Sequence, residues 1–133
     1  MAENGWLLAE NDAIRFAVPA EAVSEMVSGA EITDLPFSGE HVSGIFIHAG
    51  KAVPVYLDAE AGFGRPSGDL VLLDLKGELL ALPVRKIAGF SGPADVEDAG
   101  GTPIGPCRGT IRVREKNIAA VRMEDLYKRA GFI

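Results

Sequence analysis

The sequence has one cysteine, two histidines and one tryptophan among 133 residues. A lone Cys107 excludes an intrachain disulfide and a multi-cysteine zinc site. It fits a reducing compartment and reads as a small packing residue, because no histidine partner lies near Gly-Pro-Cys-Arg-Gly in sequence. His41 and His48 have no acidic cluster beside them that would complete a metal site. Positive charge is also scarce: 13 Lys and Arg against 19 Asp and Glu give a net charge of −6. The balance argues against nucleic acid and against an anionic membrane surface, both of which select basic patches. No apolar run approaches the length of a membrane span. The first residues, MAENGWLLAEND, lack the basic flank and long apolar stretch of a secretory signal, so residence in the cytoplasm is expected by elimination. No acid pair, nucleophile–base pair or metal-ligand spacing marks an enzyme, and no cofactor motif is found.

What the chain does contain is apolar residues, 47% of the total, in short runs. That is enough for one domain over 1–133 with a sizeable core. The stretch 41–58, HVSGIFIHAGKAVPVYLD, reads as two apolar strands joined at His48-Ala49-Gly50-Lys51, where Gly50 can take the positive φ of a hairpin turn. Both of its faces carry apolar residues, which suits strands covered on two sides. Ile14, Phe16 and Val18 alternate with polar or small neighbours and form an opening hairpin with residues 6–8 across Asn11-Asp12. Residues 32–36 read as extended, ending at Pro36, and 37–40 as a loop. Residues 59–68 form a connection with one helical turn at its start. Residues 70–75 and 78–87 flank a tight turn at Lys76-Gly77, and Pro83 is expected at an edge or bulge. Residues 91–106, rich in Gly, Pro and acid, read as the longest and most mobile loop. Residues 110–114 and 118–121 pair across a turn at Glu115-Lys116-Asn117. Segment 20–28 leans weakly towards helix by the spacing of Val23, Met26 and Val27. Met123, Leu126, Tyr127 and Ala130 make one helical stripe, with acids in the first turn, bases in the last and Gly131 placed to end it. Strands at this spacing with one terminal helix predict an all-β barrel or sandwich, the helix capping an open barrel end.

Four places resemble the CheW-like domain of chemotaxis coupling proteins. Phe16-Ala17-Val18-Pro19 followed by Val23-Ser24-Glu25-Met26-Val27 is similar to the opening strand and second segment. Residues 32–36 are similar to a short extended stretch ending in proline. Residues 44–55 resemble a hairpin with two glycines six apart and a Val-Pro-Val exit. Residues 70–87 and 111–127 resemble the later hairpins and the closing strand-to-helix passage. The resemblance implies two small five-stranded β-barrels sharing a core, with a short C-terminal helix, and it makes residues 23–27 a strand. It implies no catalysis and no cofactor. It implies instead an adaptor in two-component signal transduction, joining a CheA-type histidine kinase to the cytoplasmic tip of a chemoreceptor. By position, Val23, Glu25 and Gly44 fall on the kinase-facing barrel end, so Gly44→Arg should block docking and spare the fold. The family's arginine before the second glycine is Ala49 here, preceded by His48. An alanine cannot supply the guanidinium fork, which puts receptor contact in doubt. The aspartate common after the Val-Pro-Val-hydrophobic exit is Leu57 here, and the one before the closing helix is Arg122. Two alternatives stay open: a small-molecule-binding β-barrel, and a divergent adaptor that no longer contacts receptor.

Overall fold

A computed structural model describes residues 4–11, 14–35, 41–64, 68–97 and 105–132. Eleven strands are named among them, β1 (Trp6–Glu10), β2 (Arg15–Pro19), β3 (Val23–Val27), β4 (Ile32–Asp34), β5 (Val42–His48), β6 (Lys51–Tyr56), β7 (Leu70–Leu75), β8 (Glu78–Pro83), β9 (Lys86–Ser91), β10 (Cys107–Val113) and β11 (Lys116–Val121), followed by the helix α1 (Met123–Arg129). They form two sheets, a five-stranded one in the order β10-β11-β2-β1-β9 and a six-stranded one in the order β3-β7-β8-β6-β5-β4. The expected all-β architecture with a short terminal helix is what the chain adopts. Six strands rather than five make up the second sheet.

Side-chain alternation explains why two sheets suffice for three apolar clusters. In β7, Val71 and Leu73 enter a central cluster with residues of both sheets, while Leu70 and Leu72 enter a cluster made by the six-stranded sheet alone. In β8, Leu80 and Leu82 face the central cluster and Ala81 the private one. The five-stranded sheet does the same: Leu7, Phe16 and Val18 point to the centre, Trp6, Ala17 and Ile111 to its own concavity. Successive side chains on a strand point to opposite faces, so a strand covered on both sides serves two cores at once.

The six-stranded sheet must curl. Its two edges are β3 and β4, which are joined by only residues 28–31. The edges of a flat six-stranded sheet lie about 24 Å apart, and the link from Val27 to Ile32 reaches at most about 17 Å. Val27 of β3 and Ile32 of β4 accordingly pack on one cluster with Phe46, Val53, Val55 and Leu72. In the five-stranded sheet, Glu97 leaves the β9 side and pairs with Thr110 of β10, in both directions, at 2.7 and 2.9 Å. Trp6 Nε1 donates to the Ala94 carbonyl at 3.2 Å. Residues 92–97, expected to be part of a mobile loop, are therefore pinned by backbone hydrogen bonds and packing. The rest of that loop, 98–104, and the expected loop at 37–40 lie outside the described residues, as does Asp12 of the opening turn.

One reading is borne out and three change. Residues 23–27 are strand, as the family resemblance implied, with a single 3₁₀ turn at Ala20–Ala22 before them. Their hydrogen bonds to β7 decide against the short helical pattern. Residues 78–87 are not one strand: β8 stops at Pro83, an inner strand's last residue, and the chain crosses to the other sheet before β9. Proline has no N–H to continue the ladder, and its carbonyl receives Asn11 Nδ2 at 2.7 Å. The turn after β10 is Arg114-Glu115, one residue earlier than expected, closed by the pair Val113 and Lys116. Finally, α1 packs Leu126 and Tyr127 on the central cluster rather than over an open barrel end. The Tyr127 hydroxyl lies 2.6 Å from the Glu78 carbonyl and 3.0 Å from that of Leu73.

Three two-residue turns have both central residues at positive φ: Ala49-Gly50, Lys76-Gly77 and Arg114-Glu115. The first two place glycine second, as hairpins of this twist favour. The third uses two L-residues, at φ 49° and 66°. Each such residue costs about 1 kcal/mol or more through the Cβ–carbonyl clash. Glu115→Gly should therefore raise the unfolding free energy by about 1 kcal/mol, measurable as a higher urea midpoint at unchanged slope.

The core also holds three weakly acidic protons. Burial, and then the nearby Asp58 charge, pushes the Cys107 thiol up from 9.0 to about 12. Burial raises the Tyr56 and Tyr127 hydroxyls well above their usual range. The unfolded chain loses these protons first, so their contribution is complete below the ordinary thiol value of 9.0 and falls as pH rises towards 12. The urea midpoint should decline steadily between about pH 8 and about pH 11. A flat profile would contradict the burial of these groups.

Candidate functional site

The expected site residues divide into a surface group and a structural one. Glu25 lies on β3, at one edge of the six-stranded sheet, and His48 on β5, the second strand from the other edge. Their side chains meet: His48 Nε2 is 3.0 Å from Glu25 Oε2. The contact follows from the curl, which brings the first strand of the sheet round to the fifth. His48 also stacks on Phe46, ring centres 6.0 Å apart, and Phe46 packs on the private cluster beneath. The pair thus bridges the seam where the sheet meets itself. Both side chains stay partly exposed, so the pair is a weak electrostatic link rather than a strong clamp.

Val23 packs partly against the central cluster. Ala49 is exposed at the hairpin tip, in the first positive-φ position of the turn. Gly44 is buried, and its identity has a local cause. It pairs with Asp34 of β4 and with Val55 of β6. A Cβ there would collide with the carbonyl oxygen of Thr33, and would press on the Thr33 carbonyl carbon at 3.0 Å. Gly44→Arg therefore cannot spare the fold, since any side chain must displace β4. Glu25 and His48 meet at the seam, with Ala49 next to His48 in the hairpin, while Val23 turns to the central cluster. Gly44 supports that hairpin from within.

Residues not singled out by sequence sit beside them. Ile47 is 57% exposed and Met26 49% exposed, each adjacent in sequence to one member of the Glu25–His48 contact. Ile45 and Ile47 register with Pro54 and Ala52 on the face opposite Phe46 and Val53. The outside of this hairpin is therefore an apolar, uncharged surface. Its signal was present in the sequence as two-sided hydrophobicity, but nothing there said which face would be left uncovered.

A second constellation was missed. Asp58, 3% exposed, receives the Tyr56 hydroxyl at 2.7 Å and Arg129 Nε at 2.9 Å, and the second Arg129 contact is 2.8 Å. His41 Nδ1 lies 3.8 Å away. Asp58 is one residue past Leu57, where the family resemblance placed an aspartate. The group looks like a reactive cluster by composition, but the carboxylate is engaged by its neighbours. It fastens the exit of β6 to the last helix, 71 residues on. Arg129, expected only to complement the helix dipole, spends its charge on this pair, and Asp125 of the first turn is bonded by Arg108. Among the described residues there is no group of three or more His, Cys, Asp or Glu able to hold a metal ion, and no helix long and apolar enough to cross a membrane.

No protein-family model matches the chain, and no curated protein matches it by sequence. Among solved structures it is similar to the scaffolding protein TtCheW from Thermoanaerobacter tengcongensis, with a TM-score of 0.76 and 19% identity over 90% of this chain and 89% of that one. The chain has the CheW-like fold.

Proposed function

We propose that this chain is a non-enzymatic adaptor of the CheW type, one CheW-like domain that couples a CheA-type histidine kinase to a chemoreceptor or related sensory partner. The observation that carries the reading is the uncovered apolar outer face of the β5–β6 hairpin, where Ile47 stands 57% exposed on the face opposite Phe46 and Val53. Stable protein interfaces centre on such uncharged, apolar ground and place charges at the rim. A second curled sheet of the same kind, such as the kinase's regulatory domain, would stack there. The likeness to a scaffolding protein supports the same reading. Kinase docking is assigned to Val23, Glu25, Ile47 and His48. Receptor contact is the weaker half of the proposal, because exposed Ala49 offers no donor where an arginine fork would be expected. An adaptor that binds kinase without receptor fits that substitution.

Two variants test the site. Ile47→Arg puts a charge at the centre of the proposed interface. It should weaken capture of the kinase by about tenfold or more, with stability changed by less than about 0.5 kcal/mol. Undiminished capture by the folded variant would overturn the assignment. Gly44→Ala should instead lower stability by about 1–3 kcal/mol through displacement of β4, read in a urea melt. Binding should persist at temperatures where this variant remains folded.

A further inference from the structure

The two private clusters are not equally filled. The six-stranded sheet closes on Val53, Val55, Leu70 and Leu72, all 1% exposed or less. The five-stranded sheet closes on Trp6, Ala17, Ile111 and Ala120, two of them alanines. Beside this cluster the concavity stays open. A recess of about 520 Å³ lies between β9 and the β10–β11 hairpin, with Leu8, Val113 and Ile118 below and Ala88 and Phe90 along one wall. A further recess of about 240 Å³ shares Leu8, Ala88 and Ile118 with it and reaches Lys86. Phe90 borders the recess through its backbone strand, but it pairs with Leu7, and its ring, 60% exposed, lies on the opposite face.

Two cations stand at the rim of the larger recess, with exposed Glu115 between them in the chain and Glu10 in the adjoining recess. Arg114 and Lys116 line the larger recess. Among the described residues neither has an ion-pair partner, whereas Arg15 in the neighbouring recess is held by Glu10 at 3.1 Å. Arg114 is also one of the two L-residues forced into the left-handed region by the hairpin turn. Strain of this kind persists where surrounding structure imposes it, and it fixes the direction in which the side chain leaves the backbone. An apolar hollow with a few convergent polar groups is the usual form of a small-ligand site, and this volume falls within the usual range.

We infer that the mouth of the five-stranded sheet binds a small amphiphilic carboxylate, its apolar tail on Leu8, Ala88 and Ile118 and its anionic head between Arg114 and Lys116. A protein partner fits less well. The apolar ground is confined to a bounded hollow, while a stable protein interface needs about 800 Å² from each side. An edge-to-edge strand is disfavoured too, because β9 begins with Lys86 and is bulged at its pairing with Leu8 and Ala9. The recess lies on the five-stranded sheet and the proposed docking face on the six-stranded one, so the two readings stand or fall separately.

The test titrates the full chain with decanoate, decanol and acetate, following backbone amide shifts and binding heat. Decanoate should bind and move the amides of residues 8, 88, 90 and 118. Decanol, lacking the charge, and acetate, lacking the tail, should each bind at least about tenfold more weakly. Arg114→Gln with Lys116→Gln should weaken decanoate on the order of tenfold and leave decanol unchanged. Ala88→Trp, which fills the hollow, should abolish both. The proposal is overturned if decanoate at millimolar concentration moves no amide in the recess, if decanol binds equally well, or if the double variant binds like the parent. It is also overturned if an acidic aromatic peptide occupies the recess and decanoate does not.

Discussion

The structure depends on burial of strands from both sides. A half-buried sheet needs only one partner surface, but here β2, β7, β8 and β11 send alternate side chains into the central cluster and into a private one. Each sheet must then curve enough to enclose its own second face, and neither can be flattened without exposing leucine, valine or tryptophan. Hydrophobic burial on this scale is the dominant favourable term in folding. The curl, the shared core and the seam at Glu25 and His48 are consequences of that one requirement.

Polar contacts mainly fix what the apolar ones leave free. The helix α1 is only seven residues long and would not be stable alone. It is held by Leu126 and Tyr127 in the central cluster, by the Arg129–Asp58 pair and by Arg108 on Asp125. These contacts join residues distant in the chain and give the helix one position over the core. The surfaces left over then differ. The six-stranded sheet is full inside and apolar outside near its hairpin, which suits a flat protein contact. The five-stranded sheet is underfilled, with two cations at its mouth, which suits a small anion.

Much of the fold was legible in residue order. Alternation in β2 and β10, the continuous apolar run of β7, the X-Gly turns at Ala49-Gly50 and Lys76-Gly77, and the stripe of α1 all have local causes and stand where expected. Segment 23–27 has too few residues for periodicity to separate helix from strand; the family resemblance made it a strand, and pairing with β7 bears that out. The failures share a different cause. Pro83 marked an interruption, yet only the crossing between sheets explains why the strand ends rather than bulges. Arg114-Glu115 carries no turn signal, because the hairpin imposes the positive φ on residues that do not favour it. Gly44 invited a functional reading, whereas its cause is the carbonyl of Thr33 on a neighbouring strand.

By itself the sequence determined the strand-rich class, the turn positions that glycine marks, the terminal helix and the shortage of groups able to do chemistry. These are properties of neighbours in the chain, set by side-chain period and backbone preference. Tertiary structure alone decided which strands share a sheet, that Glu25 reaches His48, that Asp58 is neutralised by Arg129, and that one concavity is filled while the other stays open. Those outcomes depend on the sum of volumes and distances across the folded chain, which no local pattern encodes.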